Sequence, residues 1–394
     1  MSRRAPRERA PQGASLVGQR YDVEVGPVAH GGHCVARHEG RVLFVRHALP
    51  GEHITAEVTD GDEGSRFLRA DAVAVHRPSP ERVTPPCPLA HPGGCGGCDF
   101  QHAALPAQRD LKAAVVAEQL QRLAGLERTV EVEPVEGDVP ANDEGLRWRT
   151  RMQYHRLPDG RLGLRKHRSH DLVPVADCPI EHPGARVLVD GRPTEAGDVV
   201  ETVRAAGEER SFTVAADGFW QVHPGAPRVL VETVLSQLQP RAGDRVLDLY
   251  AGAGLFSAFL ADAIGPTGRL DAVEGDTTAS GHAAGALAAY PWSQVHTDRV
   301  DRWLSRLLRE EPDARVDLVV LDPPRTGAKR GVVAPVAALR PRAVSYVACD
   351  PAALARDTAT FAELGYRLDD LRAFDLFPMT HHVECVARFV DGVS

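Results

Sequence analysis

The sequence predicts an α/β protein in three parts: a C-terminal doubly wound sheet, a small N-terminal β-barrel, and between them a central α+β domain carrying four cysteines. Three observations point there. Toward the C-terminus, short apolar runs that end in polar or acidic residues alternate with helical stretches, which describes a parallel sheet with one ligand cleft at its strand ends. Near the N-terminus, short strand-like runs are punctuated by glycine and proline turns at regular spacing, as in a small barrel. Between them, cysteines fall in or beside glycine- and proline-rich turns, which suggests a metal or cluster. The expected organisation is a disordered tail over 1–15, the barrel over 16–77, the cysteine domain over 78–217 and the doubly wound domain over 218–394.

Bulk properties fit this reading. A chain of 394 residues, 43% hydrophobic and 25% charged, is long enough for two or three domains. No apolar run reaches the roughly 18 residues of a membrane span, so no membrane partner is expected. The first residues are basic and lack an apolar core, unlike a secretory signal. A cytoplasmic location follows by default, and there the seven cysteines are expected to be free of disulfides. The net charge of −8 excludes a uniformly basic nucleic-acid binder. Residues 147–168, however, hold eight basic side chains against one acid, Asp159, a local patch of the kind phosphate backbones select.

Within the first part, residues 17–25, 40–46, 53–59 and 70–76 read as strands, with Gly31-Gly32, Pro50-Gly51 and Asp60-Gly61-Asp62 as turns. A proline-rich exit, Pro78-Ser-Pro, leads to Cys87, Cys95, Gly96, Gly97 and Cys98. The C-x2-C pair lets two thiolates face one centre, and the best fourth ligand is Cys178. Four thiolates suit a [4Fe-4S] cluster or structural zinc, and spacing alone does not choose. Residues 107–126 read as an amphipathic helix ending at Gly125, and 146–175 as a meander. Alternation in the meander puts Arg147, Arg149 and Arg151 on one strand face. Trp148 and Tyr154 are expected to pack in the core rather than stack on bases.

The C-terminal part opens with Asp244-Arg-Val-Leu-Asp248-Leu-Tyr250-Ala-Gly252-Ala-Gly254, a strand and glycine turn before a helix. A lone G-x-G fits a nicotinamide, a flavin or S-adenosylmethionine equally. A second strand ends in Glu274, placed to take ribose hydroxyls. A third ends in Asp298, and a fourth runs into Asp322-Pro-Pro-Arg325. Asp-Pro-Pro resembles the loop that methyltransferases set between cofactor and acceptor. A further β-branched run ends in Cys349, followed by Asp350-Pro351 and an alanine-rich helix. A cysteine at a strand tip beside a helix N-terminus sits where the dipole favours the thiolate.

With these motifs in hand, the chain resembles the bacterial RNA uracil-C5 methyltransferases over nearly its whole length. The resemblance rests on Gly26-Pro-Val-Ala-His-Gly-Gly32 in a TRAM-like, OB-like barrel, the four cysteines and Phe219-Trp-Gln221-Val-His-Pro. It rests further on the glycine turn, Asp322-Pro-Pro-Arg325, Cys349-Asp-Pro-Ala and His382-Val-Glu384. It implies that Gln221, Tyr250, Gly252, Glu274, Asp298 and Asp322 bind S-adenosylmethionine, that Cys349 is the nucleophile and that Glu384 is the general base. It also implies a [4Fe-4S] cluster on Cys87, Cys95, Cys98 and Cys178, in a central iron–sulfur domain. The implied partner is RNA, with 23S rRNA as the first assignment and tRNA as the alternative. A non-catalytic iron–sulfur RNA-binding protein is the alternative of a different class, and no obligate protein partner is expected. The chain departs from the family pattern at Ala251, Leu255 and Asp350, and between Cys87 and Cys95 the gap is longer. The extra negative charge of Asp350 would raise the neighbouring thiol pKa if close.

The chemistry asks for these residue types. C5 of uracil is a poor nucleophile. Thiolate addition at C6 makes the ring an enolate whose C5 can attack a methyl group, which splits one hard step into two. A base must then take the C5 proton so that the thiolate can leave.

Overall fold

The computed structural model describes residues 13–392. The tail expected over 1–15 therefore lies, up to residue 12, outside the described residues. Strands β1 (Arg20–Ala29), β2 (His33–His38), β3 (Arg41–Arg46), β4 (His53–Asp60) and β5 (Phe67–Arg77) close into a barrel in the order β1-β2-β3-β5-β4. Alternate residues such as Val23, Val25, Leu43, Val45, Ile54, Ala56 and Val58 fill it, as the period of two requires. Sequence reading stopped β1 at 25, but the strand continues through Gly26-Pro27. Register shifts between Val25 and Val28 there, so proline sits at a bulge where no ladder hydrogen is needed. It also passed over β2, whose buried residues are a histidine, His33, and two small ones, Cys34 and Ala36.

Helix α1 (Leu105–Ala124) starts with Pro106 in its first turn and ends at Gly125 in the left-handed conformation, φ 68°. It serves two cores. Val115 packs with the barrel, whereas Val116 and Leu120 pack with the C-terminal sheet. On the same helix Lys112 is buried and its Nζ meets Asp375 Oδ1 at 2.5 Å. Replacing it (Lys112→Met) strands a buried carboxylate and is expected to cost about 3–5 kcal/mol. Urea unfolding checks this, and adding Asp375→Leu should recover most of the loss.

β6 (Val132–Pro134) follows, then a five-stranded central sheet. Its strands are β7 (Arg149–Arg156), β8 (Leu162–Arg165), β9 (Leu172–Pro174), β10 (Glu181–Val189) and β11 (Arg192–Pro193), in the order β11-β10-β7-β8-β9. Trp148 and Tyr154 are buried in its core. Arg147 does not share a strand face with Arg149 and Arg151. It precedes β7 with φ 53°, and its guanidinium bonds both oxygens of Asp177 at 2.6–2.7 Å. The basic patch is partly neutralised in the same way, by Arg161–Asp159 and Lys166–Asp171 pairs.

A hairpin, β12 (Asp198–Ala205) and β13 (Glu208–Ala215), leads through α2 (Ala226–Leu238) into the C-terminal sheet. There β14 (Arg245–Leu249), α3 (Leu255–Ile264), β15 (Arg269–Glu274), α4 (Thr277–Ala286), β16 (Ser293–Thr297) and α5 (Val300–Glu310) form one half. The other half is β17 (Leu318–Leu321), α6 (Arg330–Ala338), β18 (Ala343–Ala348), α7 (Pro351–Glu363), β19 (Tyr366–Asp375) and β20 (Glu384–Asp391). The order is β16-β15-β14-β17-β18-β20-β19-β6, so β6 from the central part supplies the last strand. Strands β14 to β18 run parallel, and β20 lies antiparallel to both neighbours. Chain order reverses between β14 and β17, and the ends of those two strands open the cleft expected at such a switch point.

Candidate active site

The glycine turn after β14 is built from left-handed residues: Tyr250 (φ 67°), Gly252 (φ 56°) and Gly254 (φ 88°). A Cβ on Gly254 would lie 3.3 Å from Ala283 of α4, so this glycine permits helix-to-helix approach. A Cβ on Gly252 would meet nothing within 4 Å; this glycine instead borders open space. Its N–H donates to Glu274 Oε2 at 2.9 Å, and Asp276 N–H donates to Oε1 at 2.7 Å. The carboxylate at the end of β15 is thereby fixed beside the turn.

Two further acids crowd the same strand ends. Asp248 is fully buried within β14; Ser257 donates to its Oδ2 at 2.5 Å, while Oδ1 has no partner. Burial pushes its pKa up to about 6 against the bonds from Ser257, with Glu274 adding to the rise. Asp322, next after β17, is pushed up to about 7 by burial and then by Asp248 and Glu274. A run of acids at a switch point, one with an orphaned buried oxygen, suits a cationic ligand with an amino group. The residues at hand thus fit S-adenosylmethionine.

Cys349 follows β18 and is half-buried. Ala348 pairs with Cys385 across the antiparallel β18–β20 ladder, and one further step sets Cys349 opposite Glu384. Cys385 is buried in the hydrophobic core. Arg325, His382, Asp350, Phe100 and the barrel turn Gly31-Gly32 join Cys349 around a cavity of about 80 Å³. Asp350 caps α7, accepting from Ala353 N–H at 2.8 Å, and pairs with His30 of the barrel at 3.2 Å.

The thiolate expected at Cys349 is not the resting form. Burial pushes the thiol up to about 12, Glu384 adds to this, and Asp322 and Asp350 contribute further against the opposing Arg325. Glu384 is itself held well above the usual carboxyl range by burial and by Asp322, with Arg325 opposing. Burial, with these acids added, outweighs the dipole of α7. Iodoacetamide alkylation of Cys349 in the free protein is therefore expected to rise about tenfold per pH unit from pH 7 to 10. Arg325→Gln should slow it and Asp322→Asn should speed it, both read by mass spectrometry of the modified peptide.

The other expected residues are less convergent. Tyr250 is anchored by its N–H to Val273 O at 2.9 Å, and burial raises its hydroxyl to about 12. Asp298 donates its N–H to Glu274 O at 3.0 Å, but its carboxylate turns to Arg306 of α5 at 2.8 Å. Gln221 is tied to the central sheet, its carbonyl accepting from the Thr150 hydroxyl at 3.4 Å. Sequence reading missed Asp248, whose signal was an acid inside an otherwise apolar strand. Arg325 and His382 were likewise given no role there, and His382 Nε2 lies 3.3 Å from Arg325 Nη2.

Cys87, Cys95, Cys98 and Cys178 all line one cavity of about 510 Å³, together with Arg149 and His167. Gly96 is required there, since a Cβ would lie 2.4 Å from His167 N. The four are free thiols, and burial raises Cys95, Cys98 and, to about 11, Cys178. The expected iron–sulfur centre is not shown by this arrangement. Among the described residues no three His, Cys, Asp or Glu side chains converge on a point that would hold a metal ion.

The TRAM domain family matches residues 14–73, and the tRNA (uracil-5-)-methyltransferase family matches 302–389. An uncharacterized RNA methyltransferase of Streptomyces coelicolor is 46% identical, over 98% of this chain and 95% of its own. The 23S rRNA (uracil(1939)-C(5))-methyltransferase RlmD of a Shewanella species is 29% identical, over 96% and 97%. The Pyrococcus abyssi tRNA (uracil-54, C5)-methyltransferase, solved with S-adenosyl-L-homocysteine, has the same fold. Its TM-score is 0.64 at 19% identity, over 94% of this chain and 100% of that one. A TRAM barrel, a switch-point cleft lined by acids, and relatives matched end to end lead to one assignment: the chain belongs to the family of RNA uracil-C5 methyltransferases.

Proposed function

We propose that the protein methylates C5 of a uridine in 23S rRNA through a covalent bond between Cys349 and C6 of the base. The observation that carries this reading is that Cys349, just past β18, and Glu384, first residue of β20, sit at adjoining ends of paired strands, one step beyond the Ala348–Cys385 pair, with Asp322 near enough to act on both. Glu274, Gly252 and Asp322, with Gln221, Tyr250 and Asp298, hold S-adenosylmethionine, which supplies the electrophilic methyl group. A cationic ligand at this site would offset the negative charge of these acids and so favour the Cys349 thiolate. The thiolate adds to C6, and the C5=C6 π pair moves into the C4 carbonyl to give an enolate. The enolate directs C5 to the methyl carbon, whose bond to sulfur breaks. Glu384 then accepts the C5 proton, the C5–H pair restores the double bond, and the C6–S bond breaks. Reaching C6 requires an unstacked uridine. The TRAM barrel and the central basic residues supply the RNA surface.

Ribosomal RNA is favoured by the RlmD relative, which aligns over nearly the full length of both chains. The tRNA enzyme shares the fold, so tRNA is the alternative. For the cysteine centre, Cys87, Cys95, Cys98 and Cys178 line one cavity of about 510 Å³, and the family resemblance favours a [4Fe-4S] cluster there over zinc. Anaerobically purified protein is expected to be brown, absorbing near about 400 nm. Colourless protein with stoichiometric zinc would reject the cluster. The protein is assigned to the cytoplasm, where its RNA is. The test of function is mass-spectrometric mapping of 5-methyluridine after incubation with unmodified 23S rRNA and, separately, unmodified tRNA. Methylation of tRNA alone would overturn the rRNA assignment, and methylation of neither would overturn the reaction.

A further inference from the structure

The crossover 376–383 between β19 and β20 delivers Glu384 to the cleft, and its alternate residues Phe377, Met379 and His381 are fastened to one short stretch of the central domain. Lys112 Nζ donates to Asp375 Oδ1 at 2.5 Å and to Phe377 O at 3.0 Å. Gln108 Oε1 accepts from Met379 N–H at 2.8 Å. Asp99 N–H and Phe100 N–H both donate to Met379 O at 2.9 Å. Asp99 Oδ2 accepts from His381 N–H at 3.2 Å and contacts His381 Nδ1 at 2.6 Å. The other Asp99 oxygen faces Arg46 of the barrel at 3.6 Å. Gly32 of the barrel closes the junction: with φ 77°, its Cβ would lie 2.8 Å from His381 Cβ and 3.1 Å from Asp99 Cβ. Three parts of the chain thus meet at one buried carboxylate, directly after Cys98.

Beyond the junction, His381 lies against His382, ring centroids 4.1 Å apart, and His382 reaches Arg325. Glu384 comes two residues later. Cys349, by contrast, hangs from β18 and α7, which the crossover does not carry. We propose that Asp99 is a positioning residue for proton abstraction. By clamping His381 it fixes the crossover, and through it the Glu384 carboxyl, while leaving the nucleophile in place. The inference rests on the base role proposed for Glu384. In the step concerned Glu384 takes the C5 proton, the C5–H electrons form the C5=C6 bond, and sulfur leaves with the C6–S pair.

The two halves of the reaction can be read separately in full-length protein. RNA carrying 5-fluorouridine has no C5 proton to remove, so it reports addition and methyl transfer as an adduct that survives denaturation. RNA carrying tritium at C5 reports proton removal. In Asp99→Ala the fluorouridine adduct should form within about threefold of the parent rate, while tritium release slows about 10–100-fold, the scale of a misplaced base. Methylated adduct should also accumulate on ordinary RNA. His381→Ala removes the same bond from its other side and should behave alike, which keeps the test open if Asp99→Ala does not fold. Parallel loss of both signals, or loss of neither, overturns the proposal. Glu384→Gln is the reference: if it releases tritium normally, the base assignment itself fails and the clamp with it. If it traps adduct and the clamp variants do not, only the clamp fails.

Discussion

Cys349→Ala is expected to leave RNA binding intact and to abolish methyl transfer. Without a sulfur to add at C6 the ring never becomes an enolate, and C5 keeps too little electron density to attack a methyl group. The expected loss is about four orders of magnitude or more in kcat/KM, about 5.5 kcal/mol of barrier. Single-turnover methylation with labelled cofactor measures it, and the fluorouridine adduct should vanish in the same protein. Turnover that survives this change would remove the covalent mechanism. Cys349→Ser should be nearly as inactive, because a buried hydroxyl is a weaker nucleophile than even a reluctant thiol.

Glu384→Gln is expected to fail at the other end of the reaction. Addition and methyl transfer should proceed, but the C5 proton has no acceptor, so protein bonded to methylated RNA should accumulate and resist denaturing electrophoresis. Product formation should fall about 10²–10⁴-fold, the usual contribution of a positioned base. The parent enzyme should also show a distinctive pH dependence. Burial and Asp322 hold the Glu384 carboxyl well above its usual range. Only its ionised form accepts a proton, so proton removal should rise with pH and fail on the acid side well above the pH where an exposed glutamate protonates. In Glu384→Gln that dependence should disappear from the elimination step.

Cys349 could be singled out before any coordinates because it ends an apolar, β-branched run, whereas Glu384 was reached only through the family resemblance carried by His382-Val-Glu384. The doubly wound order was legible from such runs too: four strands in succession ended in Tyr250, Glu274, Asp298 and Asp322. Other features were hidden because they depend on what lies across space. That Arg147 leaves the strand follows from its left-handed backbone and its pair with Asp177, thirty residues on in the chain. The raised pKa of Cys349 follows first from burial and then from acids brought up by three different parts of the sheet, which together outweigh a local helix dipole. Asp350, flagged for its charge, does raise the thiol, but it stands behind burial, Glu384 and Asp322 among the causes. The short strand β2 and the three residues of β6 carry too little apolar pattern to be found alone.

That three-residue strand has a bearing on dissection of the molecule. Without Val132–Pro134, the row of backbone donors and acceptors on β19 at Ala373–Asp375 would lie open to any passing chain. A fragment cut to begin at 218 would also shed α1 from the face of α7. Such a fragment should self-associate on expression, and one beginning near 100 should resist doing so.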